Sequence, residues 1–252
     1  MSKQFVLVPL YIYPAPGEWE PLSQAAAAFP DAHFVAVVNP DNGPGEDALP
    51  DENYREALAK LAKHPNITVV GYVYCSYGKR DGEAVRRDID AYAAWNKTAG
   101  LTVSGIFIDE APSEPEYVTY MARLTERARS QWQEGFRKQC IVVYNPGVVV
   151  AREFFEHPDY VVVLEASQEQ WQNLFIEQDA LSALEDRLRF KASVIIHSSG
   201  TDAADGEGMR GLVQQAQLLG LAGVYATDQL EGGYTQWPAD WMGLAEAVSW
   251  CN

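Results

Sequence analysis

The sequence predicts an α/β protein, a single (β/α)8 barrel of the TIM type that occupies residues 1–252. Eight short runs rich in valine, isoleucine and aromatic residues recur along the chain, and segments with apolar residues at helical spacing lie between them. Eight such units in 252 residues match the size of this barrel. A doubly wound open sheet is the competing fold, but the first run is not followed by the glycine-rich loop of dinucleotide-binding proteins.

The predicted strands alternate with helical segments in chain order. The strands are residues 5–13, 33–39, 67–74, 103–110, 140–145, 160–166, 192–197 and 222–228. Helical spacing is clearest over residues 54–65, 85–100 and 121–136. The acidic stretch 39–52, rich in proline and glycine, predicts a long loop over the barrel mouth. Four tryptophans fall in helical segments, where packing into the core is expected: Trp95, Trp132, Trp171 and Trp250.

The charge of the chain restricts its partners. With 35 Asp and Glu against 19 Lys and Arg, the formal net charge is −16 at pH 7. Nucleic acids and anionic membrane surfaces are bound by neutralising negative charge, which this protein does not offer in excess. We therefore expect a neutral or cationic ligand and no nucleic acid partner.

Cysteine content and hydropathy restrict the class of protein. The three cysteines, Cys75, Cys140 and Cys251, are too few for a disulfide scaffold. No stretch approaches the roughly 20 apolar residues of a membrane span, and the first residues lack the cleavage pattern of a signal peptide. We expect a monomer without a transmembrane segment.

Polar residues stand at or just beyond the end of every predicted strand. They are Tyr11, Tyr13, Asn39, Tyr74, Asp109, Glu110, Asn145, Glu165, His197 and Asp228. Because the active site of this fold lies at the C-terminal ends of the strands, we predict that these side chains face one cleft. The simpler alternative, that a strand ends where polarity begins, accounts for some members of the set.

The stretch GIFIDEAPSEPEY, residues 105–117, ends an apolar run with two adjacent acids. Side chains two apart share a face of a strand, so Gly105, Phe107 and Asp109 point to the same side. We predict that this side is the barrel mouth. Glu110 falls after the strand and is expected to curl over the rim.

A third acid, Glu165, lies one residue before the end of the sixth predicted strand. Alternation puts it on the same face as Val161 and Val163, two strands away from Asp109. Neighbouring strands are about 4.8 Å apart, so the two carboxylates can converge on one bond across the intervening strand. The spacing is compatible with a glycosidase, whose acids are about 5–5.5 Å apart in retaining and about 6.5–9.5 Å apart in inverting enzymes.

Other active-site chemistries fit these strand ends poorly. A Schiff-base enzyme needs a lysine there, but Lys191 precedes its strand. Of the four histidines only His197 reaches a strand end, so we expect neither a metal nor another cofactor. Aromatic residues are abundant near the rim instead, where flat rings can cover the apolar faces of sugars. They are Tyr11, Tyr13, Trp19, Tyr72, Tyr74, Tyr77, Tyr234 and Trp237.

Six short motifs occur in order at matching strand ends: VPLYIYP, VVNPDNGPG, GYVYCSYG, GIFIDEAP, YNPG and VVVLEAS. Together they resemble the spherulin 4-like proteins, which are grouped with glycoside hydrolase family 135, and the resemblance covers nearly the whole chain. It implies a (β/α)8 barrel and, as in fungal relatives, endo-hydrolysis of α-1,4-linked N-acetylgalactosamine in galactosaminogalactan. It also implies an extracellular or cell-surface location.

The resemblance extends to the acids. The adjacent Asp and Glu of the family match Asp109 and Glu110, and its third acid, typically Asp, matches the longer Glu165. We expect an endo-acting glycoside hydrolase with Asp109 as nucleophile, Glu165 as acid/base and Glu110 as a further candidate acid. The expected substrate-binding residues are Tyr11, Tyr13, Asn39, Tyr74, Asn145, His197, Asp228, Tyr234 and Trp237.

Two other functions remain open at this point. A carbohydrate-binding surface protein without turnover uses the same aromatic and acidic residues. A barrel enzyme that acts on a small metabolite requires a closed pocket in place of an open groove. The anomeric outcome of hydrolysis, including assistance by the 2-acetamido group of the substrate, is likewise open.

Overall fold

The computed structural model describes residues 4–136, 139–199, 207–230 and 234–250. Eight parallel strands close into a barrel in the order in which they occur along the chain. This confirms the predicted fold class and excludes the open sheet. The strands are β1 (Phe5–Leu10), β2 (His33–Val38), β3 (Ile67–Tyr74), β4 (Gly105–Asp109), β5 (Ile141–Tyr144), β6 (Tyr160–Ser167), β7 (Ala192–His197) and β8 (Gly223–Ala226).

Helices follow most of the strands. They are α1 (Glu20–Ala28), α2 (Glu52–Leu61), α3 (Gly82–Trp95), α4 (Val118–Phe136), α5 (Gln168–Trp171), α6 (Asp186–Arg189), α7 (Glu207–Leu218) and α8 (Trp241–Trp250). The connection between β5 and β6 contains the short 3-10 helix Arg152–Phe155 in place of a full α-helix. Within the described ranges, every helix is too short or too polar to cross a membrane.

Two loops at the C-terminal ends of the strands differ slightly from the prediction. The loop predicted over residues 39–52 ends one residue earlier, because Asp51 caps α2 by accepting the N–H of Tyr54 at 3.0 Å. β1 ends at Leu10, since the next N–H, that of Tyr11, bonds back to the carbonyl of Pro9 at 3.1 Å. Tyr11 and the residues after it therefore belong to a loop.

The strands are buried on both faces. Every residue of β1, β7 and β8 is buried, as expected for parallel strands enclosed by helices. Three of the four tryptophans predicted for the core, Trp95, Trp132 and Trp171, are fully buried. The apolar runs of the sequence thus form the core that carries the C-terminal face.

The prediction that Trp250 packs in the core is wrong. Its side chain is 63% exposed, and the guanidinium of Arg210 lies 4.7 Å from its ring centroid. The buried stripe of α8 runs through Trp241, Leu244 and Val248. Two residues after Val248, a helix presents its opposite side, so Trp250 points away from the barrel.

Contacts across the barrel identify the side chains that face its interior. The rings of Phe5 in β1 and Tyr160 in β6 have centroids 4.5 Å apart, although these strands are not neighbours. Both rings therefore lie inside the barrel, and Val162, two residues after Tyr160, faces inward as well. Val161, which lies between Tyr160 and Val162, therefore faces the helices.

A β-bulge brings that acid, Glu165, to the inner face. Val162 and Glu165, which are three residues apart, pair with Ser193 and Ile195, which are two residues apart. The extra residue in β6 reverses the alternation of the strand. Glu165 therefore faces the interior, and the prediction that it shares a face with Val161 and Val163 is wrong for Val161.

Candidate active site

Two carboxylates at the C-terminal end of the barrel are joined by one amide. The side-chain nitrogen of Asn145, which follows β5, donates to Asp109 Oδ1 at 2.7 Å and to Glu165 Oε2 at 2.6 Å. Asp109 and Glu165 lie on β4 and β6, the two neighbours of β5. These two oxygens cannot be farther apart than the sum of the distances, about 5.3 Å. Both acids are therefore within reach of a single bond of a ligand.

Each carboxylate also accepts a hydrogen bond from a tyrosine. Tyr72 donates to Asp109 Oδ2 and Tyr234 donates to Glu165 Oε1, both at 2.7 Å. The opposite orientation of the Asn145 amide would set its oxygen against both carboxylates, so the network determines which way the amide points. The amide oxygen is buried and has no hydrogen-bond partner in the described part of the chain.

Backbone hydrogen bonds hold Asn145 between the two acids. Its N–H donates to the carbonyl of Ile108 at 2.8 Å, and its own carbonyl accepts from the N–H of Ala111 at 3.0 Å, which joins the ends of β4 and β5. Gly147 has a φ of 67°, and its carbonyl accepts from the N–H of Glu165 at 3.1 Å. Glycine adopts this left-handed conformation readily, so the chain turns toward β6 without strain.

Burial governs the ionisation of Asp109. Removal from water raises the pKa of its carboxyl group, while hydrogen bonds from Tyr72, from the N–H of Glu110 and from Asn145 act in the opposite direction. The effect of burial is the larger one, so the pKa lies above its ordinary value. Asp109 therefore holds a proton more readily than an exposed aspartate.

Three tyrosines surround the carboxylates. The ring of Tyr11 meets that of Tyr72 edge-on at a centroid distance of 5.6 Å and that of Tyr234 at 5.9 Å. Burial, followed by the charge of the neighbouring acids, raises the pKa of all three hydroxyl groups. These hydroxyls stay protonated at neutral pH, so Tyr72 and Tyr234 remain hydrogen-bond donors.

Glu110, the second acid of the adjacent pair, lies beside the network. Its φ of 48° turns the chain sharply after β4. Its N–H bonds to the Asp109 carboxylate, and its carbonyl accepts the N–H of Tyr77 at 2.7 Å. Among the described residues, its own carboxylate makes no side-chain hydrogen bond, and it is partly exposed, as a rim residue is expected to be.

A left-handed turn of three residues, Ser76–Gly78, follows β3, and we call it the rim turn. Its φ angles are 47°, 53° and 80°. The first two residues are not glycine, so the left-handed conformation costs about 1–2 kcal/mol for each. The N–H of Cys75 donates to the carbonyl of Asp109 at 3.0 Å, and the N–H of Tyr77 donates to that of Glu110. The rim turn is thus attached directly to the backbone of the two acids.

Two further predicted residues end the strands beside the network. Tyr74 pairs with Asp109 in register, and its ring centroid lies 4.2 Å from the guanidinium carbon of Arg80. His197 is buried at the end of β7, and its Nδ1 lies 2.8 Å from the hydroxyl of Ser198. Both residues belong to the C-terminal face, as the strand-end pattern predicts.

The remaining predicted binding residues make contacts within the loops. Asn39 accepts the N–H of Gly43 at 2.9 Å, and Tyr13 donates to Asp51 at 3.0 Å. These bonds shape the loop between β2 and α2. A role of Asn39 and Tyr13 in ligand binding stays a prediction.

Asp228 and Trp237 stabilise the region between β8 and α8. Asp228 accepts the N–H of Ala239 at 2.9 Å. The indole of Trp237 donates to the carbonyl of Glu18 at 2.8 Å and packs against Trp241 with ring centroids 4.8 Å apart. The bond of Trp237 to Glu18 ties this region to the loop after β1. Ligand binding by Asp228 or Trp237 stays a prediction.

The sequence pattern did not reveal Tyr72 as a partner of Asp109. Tyr72 lies inside β3, two residues before the strand end, so the pattern places it only among the aromatic residues near the rim. The signal that could have identified this partner is the position of Tyr72 on the inner face beside β4. From there a long tyrosine side chain can carry its hydroxyl toward the strand end. Among the described residues, no three His, Cys, Asp or Glu side chains are grouped so as to hold a metal ion.

The amino-acid sequence matches a known family over most of its length. The model of spherulation-specific family 4 (Spherulin4) matches residues 5–248. Spherulin-4 of Physarum polycephalum is 28% identical over 231 residues, which are 90% of this chain and 64% of that protein. The chain therefore spans less than two thirds of the length of this relative.

Solved structures agree with this match. The crystal structure of Aspergillus clavatus Sph3 in complex with GalNAc is 33% identical and superposes with a TM-score of 0.88 over 98% of both chains. A chitinase from Bacteroides thetaiotaomicron has a TM-score of 0.57 over 98% of this chain and 96% of its own, but at 12% identity it shares only the fold. The chain belongs to the spherulin 4 family.

Proposed function

We propose that the protein is an endo-acting glycoside hydrolase that cleaves α-1,4-linked N-acetylgalactosamine in a galactosaminogalactan-like polysaccharide. The observation that carries the proposal is the pair of acids Asp109 and Glu165, bridged by the amide of Asn145 at the C-terminal face. Sph3, which is 33% identical to this chain, was crystallised with GalNAc. This supports an N-acetylgalactosamine ligand for the present protein.

The two acids are assigned different roles. Glycosidic cleavage needs one carboxylic acid that protonates the leaving oxygen, and its raised pKa makes Asp109 easier to protonate than an ordinary aspartate. We therefore assign proton donation to Asp109, the reverse of the role expected from the sequence. Glu165, which accepts from Asn145 and Tyr234, attacks the anomeric carbon or steadies the 2-acetamido group while that group attacks.

The separation of the acids supports retention of the anomeric configuration. Their facing oxygens are at most about 5.3 Å apart, which fits the about 5–5.5 Å of retaining enzymes better than the about 6.5–9.5 Å of inverting ones. Attack by Glu165 and attack by the acetamido group both give retention. Proton NMR of the first products should show the α-anomer, and early β-anomer would contradict this assignment.

The charge of the chain is consistent with this substrate. A formal net charge of −16 disfavours an acidic polymer. N-acetylgalactosamine is neutral, and galactosamine that has lost its acetyl group is cationic. The polymer therefore belongs to the neutral or cationic class that the composition predicts.

Release of reducing ends from an α-1,4-linked N-acetylgalactosamine polymer tests the proposal. The wild type should release oligosaccharides, as internal cleavage does. Asp109→Asn and Glu165→Gln should each slow release by about 100- to 10,000-fold. Glu110→Gln should lose less activity, because its carboxylate lies outside the network. Polymer binding by a wild type that releases no reducing ends would instead favour the carbohydrate-binding protein without turnover.

A further inference from the structure

The rim turn, Ser76–Gly78, carries an aromatic side chain that is largely exposed. The side chain of Tyr77 is 55% exposed, and its backbone has the left-handed conformation, with φ of 53°. Glycine and asparagine occupy such positions at lower cost. The backbone conformation at Tyr77 therefore favours glycine or asparagine over tyrosine.

The rim turn is also held by residues other than the two acids. An added Cβ at Gly78 would lie 2.4 Å from the ring of Tyr117, so the two residues are in close contact. The N–H of Arg80 donates to the carbonyl of Cys75 at 3.2 Å, and its guanidinium pairs with Asp88 at 2.6 Å. The ring of the exposed tyrosine is thus presented from a fixed backbone.

We propose that Tyr77 is a substrate-binding residue whose ring stacks on a pyranose unit of the polymer, in a subsite next to the cleavage site. This inference rests on the proposed function. The N–H of Tyr77 bonds to the carbonyl of Glu110 at 2.7 Å, and Glu110 directly follows Asp109. The backbone that carries the ring is therefore anchored one residue away from Asp109, the proposed proton donor.

The chemistry of the sugar fits a flat ring. N-acetylgalactosamine has an axial 4-hydroxyl group, which leaves the C–H bonds of C3, C4 and C5 together on one face. An aromatic ring covers such an apolar face. Because the rim turn is ordered before binding, little conformational entropy is lost when the sugar arrives.

Two substitutions separate this role from a structural one. Tyr77→Asn removes the ring but keeps a residue that tolerates the left-handed region, and Tyr77→Phe keeps the ring. For long N-acetylgalactosamine oligomers, Tyr77→Asn should raise KM about 3- to 10-fold at unchanged kcat. Its melting temperature should be unchanged or higher by about 2–4 °C, and Tyr77→Phe should behave as the wild type.

Phe190→Asn is the matched control. Phe190 is 50% exposed and lies between α6 and β7, before its strand and so at the opposite end of the barrel. Its removal should leave KM for long oligomers unchanged. A short chromogenic N-acetylgalactosaminide, which fills only the cleavage site, should give the same KM with the wild type and with Tyr77→Asn.

The outcomes distinguish the two proposals. If the wild type cleaves long oligomers and Tyr77→Asn has the same KM, the role of Tyr77 is refuted and the proposed function stands. A markedly lower melting temperature with a matching loss of kcat also refutes the role and assigns Tyr77 to the fold. If the wild type cleaves nothing, the proposed function fails. In that case calorimetry measures the Kd of the oligomer for the wild type and for Tyr77→Asn. Equal Kd values would refute the role of Tyr77 in binding.

Discussion

The charge of Asp109 is expected to destabilise the folded protein, and Asp109→Asn tests this. Burial raises the pKa of this carboxyl group, so the folded state binds a proton more tightly than the unfolded state, in which the pKa is about 3.9. For such a group, stability falls as pH rises from the unfolded value through the folded one. The destabilisation is fully present above the folded pKa, and the substitution removes it.

The hydrogen bonds of Asp109 determine the size of the effect. Its oxygens accept from Tyr72 and Asn145, each at 2.7 Å. In the variant, the amide oxygen can accept from Asn145 and the amide nitrogen can donate to the hydroxyl of Tyr72. Exchange of two charge-assisted bonds for neutral ones costs about 1–1.5 kcal/mol each. The raised pKa means that burial of the charge costs more than these hydrogen bonds return, by about 1.4 kcal/mol for each pKa unit. Removal of the charge should therefore gain more than the weaker bonds lose.

We therefore expect Asp109→Asn to lose most polymer cleavage while its melting temperature at pH 7 is unchanged or raised by up to about 4 °C. Calorimetric unfolding at pH 4 and pH 7, combined with reducing-end release, measures both properties on one preparation. The gain relative to the wild type should be smaller at pH 4, where more of the wild-type Asp109 is protonated.

Asp159→Asn is the control for an ordinary structural acid. Asp159 is partly exposed, accepts the N–H of Val142 at 2.8 Å and pairs with Arg129. Its neutralisation should cost about 0.5–2 kcal/mol and leave cleavage intact. An Asp109→Asn protein that melts several degrees below the wild type and still cleaves the polymer would refute the reasoning, because it would show that Asp109 serves the fold.

Two further predictions concern the groups around the acids. Asn145→Leu removes the donor shared by both carboxylates. It should lower the free energy of unfolding by about 3 kcal/mol or more at pH 7 but by less at pH 4, where the charges are partly neutralised. Urea unfolding at both pH values measures this loss, and equal losses would contradict the prediction. Gly78→Ala should cost about 2–4 kcal/mol, because φ is 80° and the new Cβ would lie 2.4 Å from Tyr117. Gly17→Ala, with φ of 95° and no atom within 4 Å of the new Cβ, should cost only about 1 kcal/mol, and equal unfolding midpoints for the two variants would argue against close packing of the rim turn.

The barrel could be predicted from the sequence because its repeating unit is local. Strands enclosed on both faces appear as apolar runs, and the polar residue that ends each run marks the C-terminal face. Asp109, Asn145 and Glu165 were identified in this way. The same rule is less informative for Tyr13 and Trp237, which lie in loops, where position is determined by contacts between segments far apart in the chain.

The hydrogen-bond network could not be predicted from the pattern. Asn145 is 36 residues from Asp109 and 20 from Glu165 along the chain, and it joins them only because β4, β5 and β6 are neighbours in the right register. An asparagine at a strand end is equally compatible with a solvent-exposed amide. Its role follows from the two carboxylates on either side. Both accept hydrogen bonds, and within the amide only the nitrogen can donate to them.

The position of Glu165 shows why a strand face cannot always be counted from the sequence. The ring of Tyr160 contacts Phe5 inside the barrel, so strict alternation along β6 would turn Glu165 outward. There its charge would be buried against helices without a partner, which is costly. The segment VVVLEAS is apolar on both faces before the acid, so its pattern is compatible with either register. Bulges near active sites commonly re-aim a side chain, and the bulge after Val162 does this for the carboxylate that completes the pair with Asp109.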